Sequence, residues 1–198
     1  MLYIATTNKH KFERLEIMIK QAFHKLEIKG IHDKHIKEPI ENGDNEVENA
    51  LIKAEYYYSV LRENVLVEDN GIYFNGLGKD KQPGSKFKDI MPGMSVPAKL
   101  RYWTNFLEEN KVKAGYIKYV FVLAINGEYF KEKLEVPFSV SITNNDISSD
   151  ENILNNFMIP RGSEISFANM TELELSRYRS ANILPTIKNL IELYISNI

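Results

Sequence analysis

The sequence contains no cysteine, only one tryptophan and no marked excess of charge of either sign. Without cysteine there is no disulfide, no thiolate nucleophile and no zinc site built from thiolates. The net charge of −2 offers no basic surface for a nucleic-acid polymer, so a phosphate ligand would need a local group of lysines, backbone N–H groups and metal. No apolar run approaches the length of a membrane span and no signal-peptide pattern is visible, so a cytoplasmic protein without a membrane partner is expected.

The composition is typical of a globular protein, because 43% of the 198 residues are hydrophobic and 26% are charged. This length predicts a single domain over residues 1–198. Periodicity predicts strands at 2–5, 26–31, 65–67, 72–74, 116–125, 129–134 and 137–142, and helices at 12–23, 46–61, 96–107 and 183–195. Loops are predicted at 37–45 and 76–93, and a hairpin turn at Asn126–Gly127. Strand–helix units combined with a hairpin indicate an α/β or α+β fold with a mixed sheet.

The first candidate site is the turn between the first strand and the first helix. Thr6, Thr7 and Asn8 are small polar residues that suit a turn or a helix N-cap, and Lys11 follows in the first helical turn. A helix start presents backbone N–H groups and the positive end of the helix dipole, which suit a phosphate chain. The alternative is a plain capped helix with a solvated lysine.

The second candidate site is acidic. Glu41 and Glu48 belong to a loop and the helix that follows it, whereas Glu68 and Asp69 end a buried strand, where a turn over 68–71 is predicted. Buried carboxylates need partners, and strand ends are where α/β proteins bind ligands. Oxygen ligands without cysteine suggest magnesium rather than zinc. The alternative is a strand that simply runs out to solvent.

Two other polar groups favour a surface role. The loop lysines, which include Lys88, form a charge run of the kind that is usually solvated. His32 and His35 have a spacing that could bind a metal on a helix, but no third ligand is nearby in the sequence. No catalytic-triad pattern and no Walker-type phosphate loop is present.

Several segments, in order over nearly the whole chain, resemble the motifs of the inosine triphosphate pyrophosphatase family. The matching segments are Ala5–Lys11 with A-T-G-N-x-x-K, Glu41–Gly43 and Glu48–Ala54 with E-x-G and E-N-A-x-x-K-A, Val67–Ile72 with A-[DE]-D-[ST]-G-L, Leu77–Gly84 with L-G-G-x-P-G, Phe167–Met170 with T-F-A-E-M, and Ser176–Arg179 with S-H-R-x-R. The resemblance implies an elongated mixed sheet flanked by helices, with two lobes around a nucleotide cleft. It also implies hydrolysis of nucleoside triphosphates to monophosphate and pyrophosphate.

The resemblance also implies roles for individual residues. The first turn, with Thr6, Thr7, Asn8 and Lys11, would bind the triphosphate. Metal binding would fall to Glu41 and Asp69, with Mg²⁺ as cofactor, and Asp69 would also activate the attacking water. Further substrate contacts would come from Lys53, Lys88, Asn70 and Arg177, the last of which would reach the base. The family also implies a homodimer, for which the hairpin and the helix around Trp103 offer surfaces.

The departures from the family pattern concern the part that would read the base. Thr7 replaces a glycine, and the histidine before Arg177 is missing. By the count back from Ile159–Pro160, Leu154 stands where the family has an aromatic residue and Asn155 where it has an aspartate, while Glu172 replaces a lysine. Altered base recognition is therefore expected. The alternatives are a Maf-like nucleotide pyrophosphatase with another base preference and a degenerate protein that only binds nucleotides.

Overall fold

The computed structural model describes residues 1–87, 90, 93–142 and 152–196. Its main elements are β1 (Leu2–Ile4), α1 (Lys9–Ala22), β2 (Ile28–Lys29), α2 (Glu46–Leu61), β3 (Val65–Phe74), α3 (Val96–Glu109), β4 (Ala114–Ile125), β5 (Glu128–Val140), β6 (Met158–Pro160), α4 (Glu172–Asn182) and α5 (Leu184–Ser196). The prediction of a mixed α/β fold is confirmed. Within the described residues, no helix combines the length and the apolar character needed to cross a membrane.

The sheet contains six strands in the order β2-β1-β3-β4-β5-β6. β1 pairs in parallel with both β2 and β3, with Ile4 opposite Leu66, whereas β5 and β6 are antiparallel. Because β1 and β3 run in the same direction, the turn that follows β1 lies beside the middle of β3. This register places the Thr6–Asn8 turn beside Glu68 and Asp69.

Contacts divide the chain into two compact units, of which the first comprises Met1–Asn70, Tyr119–Leu134 and Ser176–Ile198. Its core combines residues of α2 with residues of the strands and of the segments that follow them: Tyr3, Ala5, Ile31, Ala50, Ala54, Tyr57, Val65, Val67, Val120, Val122 and Ala124. Ala50 and Ala54 are four apart on one face of α2, so their small side chains let the helix approach the sheet closely. This packing fixes Lys53 on α2 relative to the strand that carries Asp69.

The second unit comprises Gly71–Lys118 and Glu135–Leu175. An aromatic cluster forms its interior, in which the ring of Phe74 contacts those of Trp103, Phe106 and Phe138 at centroid distances of 6.1–6.3 Å. Gly115 allows this packing, because a Cβ there would lie 2.2 Å from the carbonyl oxygen of Tyr73 and 2.7 Å from Phe138. Aromatic burial of this kind contributes packing stability and carries no chemistry.

Two predicted boundaries in the sheet are wrong. The expected turn at 68–71 is absent, because β3 continues from Val65 to Phe74 and buries most of its side chains. β5 is likewise one strand where two were predicted, and its alternation of exposed and covered residues continues without a break past Glu135. The predicted hairpin is confirmed, with Asn126 and Gly127 at φ values of 52° and 82° between β4 and β5.

Two of the main elements, β6 and α4, were not predicted. β6 has only three residues, and α4 has no buried residue, so neither leaves a clear hydrophobic period in the sequence. The predicted loop at 76–93 contains a short 3₁₀ helix at Lys79–Lys81. Lys88 lies outside the described residues, as do residues 143–151.

Candidate functional site

The turn after β1 is built as a helix cap. Asn8 is the N-cap of α1, and its Oδ1 accepts a hydrogen bond from the backbone N of Lys11 at 2.9 Å. Thr6 Oγ1 accepts from the backbone N of Asn8 at 3.2 Å, while Thr7 is exposed and its hydroxyl donates to the carboxylate of Glu38. The cap satisfies one backbone donor and leaves the positive end of the helix dipole at this turn.

Glu68 is the most deeply buried charge near this turn. Its side chain has no exposed surface, and both carboxylate oxygens accept from Nη2 of Arg14, at 2.8 and 2.6 Å. Lys11 Nζ lies 3.4 Å from Glu68 Oε1 and 3.4 Å from the Glu68 carbonyl oxygen. Burial would raise the pKa of the Glu68 carboxyl, but the charges of Arg14 and Lys11 outweigh it, and the pKa falls below its ordinary value.

Asp69, the next residue of β3, belongs to a different ion-pair group. Adjacent strand residues point to opposite faces, so Asp69 faces α2 and the loop before it rather than Arg14. Lys53 Nζ lies 3.5 Å from Asp69 Oδ1 and 2.8 Å from Glu41 Oε1. The structure therefore brings Glu41 and Asp69 to one ammonium group, although 28 positions separate them in the sequence (69 − 41).

The hydrogen-bonding capacity of the Asp69 carboxylate is not fully used. Oδ1 accepts from the backbone N of Asn70 at 2.9 Å, whereas Oδ2 is buried and has no hydrogen-bond partner within the described part of the chain. Burial raises the pKa of the Asp69 carboxyl, Lys53 and Lys11 lower it, and the nearby charge of Glu41 raises it, with a net increase. A buried carboxylate with one unsatisfied oxygen is poised to accept a proton or to bind a cation.

The other predicted site residues are less closely associated. Asn70 is half-buried and follows Asp69 directly on β3, whereas Arg177 is exposed on α4. Two residues further along α4, Arg179 is half-buried and its charge acts on the hydroxyl of Tyr119. For Lys88 the described residues give no position.

The segment expected to read the base belongs to the second unit. Asn152 caps a short 3₁₀ helix, Ile153–Asn156, and its side-chain amide also donates to Asn155 Oδ1 at 3.2 Å. Leu154 is 1% exposed and Asn156 is 3% exposed, with the amide of Asn156 donating to the carbonyl oxygen of Ile153 at 2.9 Å. Leu154 is thus an interior residue, and the bonds of Asn152 and Asn156 include local ones.

Sequence reasoning missed Arg14 and Tyr119. Arg14 makes a shorter ion pair with Glu68 than Lys11 does, and it is hydrogen-bonded to the buried hydroxyl of Tyr119 on β4. One signal was available, because Lys11 and Arg14 are three residues apart and therefore share a face of α1. The partners on β3 and β4 are distant in the sequence and left no such signal.

The fold and these side chains together define a class of protein. An anion-suited helix start, two lysines and a pair of carboxylates meet at neighbouring strands of an α/β sheet, as in enzymes that act on phosphate esters and anhydrides. The chain belongs to the Ham1 family, whose model matches residues 2–178. This confirms the prediction that the chain is a member of the inosine triphosphate pyrophosphatase family. It also confirms the prediction that the protein is a hydrolase.

Solved structures show the same fold. The Staphylococcus aureus Ham1 protein has a TM-score of 0.73 at 16% identity, over 99% of this chain and 98% of the other. The HAM1 protein from Coxiella burnetii has a TM-score of 0.76 at 15% identity, over 100% of this chain and 98% of the other. A nucleoside-triphosphatase, described as a dITP/XTP pyrophosphatase, from Mycobacterium abscessus has a TM-score of 0.68 at 18% identity, over 97% of both chains.

Proposed function

We propose that this protein hydrolyses nucleoside triphosphates, among them inosine and xanthosine triphosphates, to nucleoside monophosphate and pyrophosphate. We further propose that it uses Mg²⁺ and that its base recognition is altered relative to its family. One observation carries the proposal: the buried carboxylate of Asp69 has an unsatisfied oxygen and shares the ammonium of Lys53 with Glu41. Family membership and the name of the Mycobacterium abscessus protein support the substrate class.

The energetics of Asp69 support a functional role. A buried polar atom without a partner costs about 1–3 kcal/mol, and more when the group is charged. Packing of the first unit gains nothing from an unsatisfied Asp69 Oδ2, and this cost supports the proposal that the oxygen contacts a ligand.

The donor set fits a magnesium ion that arrives with its substrate. Mg²⁺ is usually held by one or two carboxylates together with phosphate oxygens and water. Glu41 and Asp69 supply two carboxylates, and the described ranges contain no group of three His, Cys, Asp or Glu side chains that could hold a metal alone. When bound, the metal neutralises charge on the phosphate oxygens.

The remaining residues of the site are assigned to the substrate, most of them to its phosphate chain. The start of α1, with Thr6, Thr7, Asn8 and Lys11, faces it with polar groups and the helix dipole. Lys53, which pairs with Glu41 and Asp69, is assigned to a phosphate oxygen of the substrate. By resemblance, Lys88 adds a phosphate contact, Asn70 fixes the nucleotide and Arg177 reaches the base.

Asp69 is the proposed general base. Its raised pKa brings the carboxyl closer to the range in which a group accepts a proton efficiently near neutral pH. It accepts a proton from a water molecule as the water oxygen attacks the α-phosphorus. The anhydride bond between the α- and β-phosphates then breaks. Pyrophosphate leaves with the electrons of that bond.

Altered base recognition is proposed from the 3₁₀ segment of the second unit. Leu154 offers no ring for stacking and is buried, so an aromatic platform is missing at this position. Asn155 carries both a donor and an acceptor, so it can satisfy more than one base edge. Glu172 is exposed at the start of α4 and would repel a base carbonyl where a lysine would donate to it.

A homodimer is proposed from the family resemblance. Trp103 itself is 3% exposed and packs inside the second unit, so α3 presents its exposed neighbour Tyr102 at the surface instead. Light scattering at high protein concentration tests the proposal. A mass of twice the 22.9 kDa chain is expected, and a monomer would contradict it.

The decisive experiment is pyrophosphate release from a panel of nucleotides, with and without Mg²⁺. The panel contains ITP, XTP, dUTP, UTP and the four standard nucleoside triphosphates, and the Asp69→Asn variant serves as the control for contaminating activity. Release from ITP and XTP that requires Mg²⁺ is expected. A preference for UTP or dUTP would favour the Maf-like alternative, and binding without any release would favour a degenerate nucleotide-binding protein.

A further inference from the structure

We infer that Arg14 is a positioning residue for Lys11: it neutralises buried Glu68, so that Lys11 can exchange its contact with Glu68 for the substrate's phosphates. The inference rests on the proposed function and adds to it a residue that has no contact with the substrate. It concerns three side chains of the first unit, two of which lie on α1 and one on β3.

The two cations contact Glu68 very differently. Arg14 Nη2 reaches both carboxylate oxygens at 2.6–2.8 Å, within the range of strong charge-assisted hydrogen bonds. Lys11 Nζ is 3.4 Å from one oxygen of the same carboxylate, which is longer than such a bond. Arg14 is therefore the principal counter-ion of Glu68, and Lys11 is a secondary one.

Burial makes this division of roles necessary. The Glu68 side chain has no exposed surface, so water cannot solvate its charge, and an ionised carboxylate in that position requires a cation. A guanidinium does not lose its proton in proteins, so Arg14 supplies that cation at any working pH. A hydrogen bond to Tyr119 on β4 ties Arg14 to the sheet, and its side chain is only 14% exposed.

Loss of Arg14 would change what Lys11 does. Lys11 is the other cation that acts on Glu68 among the described residues, so it would become the sole counter-ion of a buried charge. An ammonium held in that way would have to abandon Glu68 in order to bind a phosphate. Substrate affinity would fall, although neither Lys11 nor the cap of α1 has been altered.

The experiment compares Arg14→Met with the double variant Arg14→Met/Glu68→Gln. Each is measured for KM and kcat with ITP and for the affinity of inorganic tripolyphosphate by calorimetry. Arg14→Met is expected to weaken tripolyphosphate binding and raise KM by about tenfold, the effect of 1.4 kcal/mol, with a smaller change in kcat. The double variant is expected to recover most of the lost affinity, because Lys11 no longer has a buried charge to neutralise.

Matched variants separate this role from simple destabilisation. Lys20→Met removes one positive charge from the exposed side of α1, where Lys20 pairs with Glu16, and should leave KM unchanged. Arg14→Lys keeps the charge and should retain more affinity than Arg14→Met. If Arg14→Met does not fold, Arg14→Lys and the double variant are compared with Glu68→Gln: near-equal affinity of the double variant and Glu68→Gln supports the inference.

Two results would overturn the inference. One is unchanged tripolyphosphate affinity in folded Arg14→Met. The other is a folded double variant that binds tripolyphosphate no better than Arg14→Met, or much more weakly than Glu68→Gln. Because tripolyphosphate binding needs no turnover, these results are distinct from a failure of the proposed function, which would show as no pyrophosphate release from any nucleotide by the unaltered protein.

Discussion

The first unit contains a charged group formed by Lys11, Arg14, Glu41, Lys53, Glu68 and Asp69, and the second unit contains the short helix Ile153–Asn156. The polar contacts of the first are ionic, whereas those of the second are neutral. In the first unit Glu68 and Asp69 are buried, bond to residues far away in the sequence and leave one Asp69 oxygen unsatisfied. In the second unit Asn152, the cap of the short helix, donates to Asn155 Oδ1, and Asn156 donates to the carbonyl oxygen of Ile153, so the short helix has neutral hydrogen bonds between near neighbours. The first arrangement costs stability and suits a ligand, whereas the second stabilises a local fold.

This contrast parallels the sequence motifs. Apart from Arg14, the charged group coincides with segments in which the family pattern is retained, and the short helix coincides with the segment in which the sequence departs from that pattern. Because buried charges are costly without a use, retention of the charged group favours an active enzyme. The buried Leu154 offers no ring for stacking, which favours a weaker dependence on the identity of the base.

The largest expected effect is at Asp69. Asp69→Asn should reduce kcat for pyrophosphate release by about 10²–10⁴-fold, the usual contribution of a general base. The same change should raise the stability of the ligand-free protein by about 0.5–2 kcal/mol, since it removes a buried charge with an unsatisfied oxygen. Steady-state kinetics and thermal unfolding test the two parts. A variant with full activity would place the chemistry elsewhere.

A smaller effect is expected at Lys11. Lys11→Ala should weaken nucleotide binding by about 1.5–3 kcal/mol, the range for hydrogen bonds to charged groups. The affinity of a slowly hydrolysed nucleotide analogue measures this directly. An unchanged affinity would mean that Lys11 only assists in neutralising Glu68.

The next smaller effect concerns discrimination between bases. Catalytic efficiencies for ITP and XTP are expected to exceed those for ATP and GTP by less than about 100-fold, because discrimination needs placed donors and acceptors. Asn155→Asp should raise that ratio by about 2- to 10-fold, which corresponds to one hydrogen bond of 0.5–1.5 kcal/mol. A ratio above about 100 in the unaltered protein would mean that other residues form a selective base pocket.

The least pronounced effect concerns acid stability. The pKa of Glu68 is lower in the folded protein than its ordinary value, so its ionisation stabilises the fold above that value. The stabilisation is lost as the pH falls through the lowered pKa. Denaturant unfolding between neutral and acid pH should therefore show a smaller loss in Glu68→Gln than in the unaltered protein. Equal losses would mean that other carboxylates dominate.

Much of the local structure was predictable. The apolar run of β1, the polar cap residues and the periodic face of α1 are contiguous, so strand, turn and helix follow from neighbouring residues alone. The Asn126–Gly127 turn was equally clear, because both residues tolerate positive φ. The family itself was recognisable from short motifs in the right order.

What the sequence determined by itself was the set of chemical groups, namely the capped helix start, the carboxylates, the lysines and the absence of thiols. Tertiary structure decided which of them meet. The sequence predicts a turn at Glu68 and Asp69 because both residues are polar. In the structure Glu68 pairs with Arg14 and Asp69 pairs with Lys53, so both remain inside a continuous strand. The Arg14–Glu68 contact spans 54 residues, and only the parallel pairing of β1 with β3 brings its two ends together. Long-range pairing of this kind has no local signature, because its energy depends on burial that the finished fold alone provides.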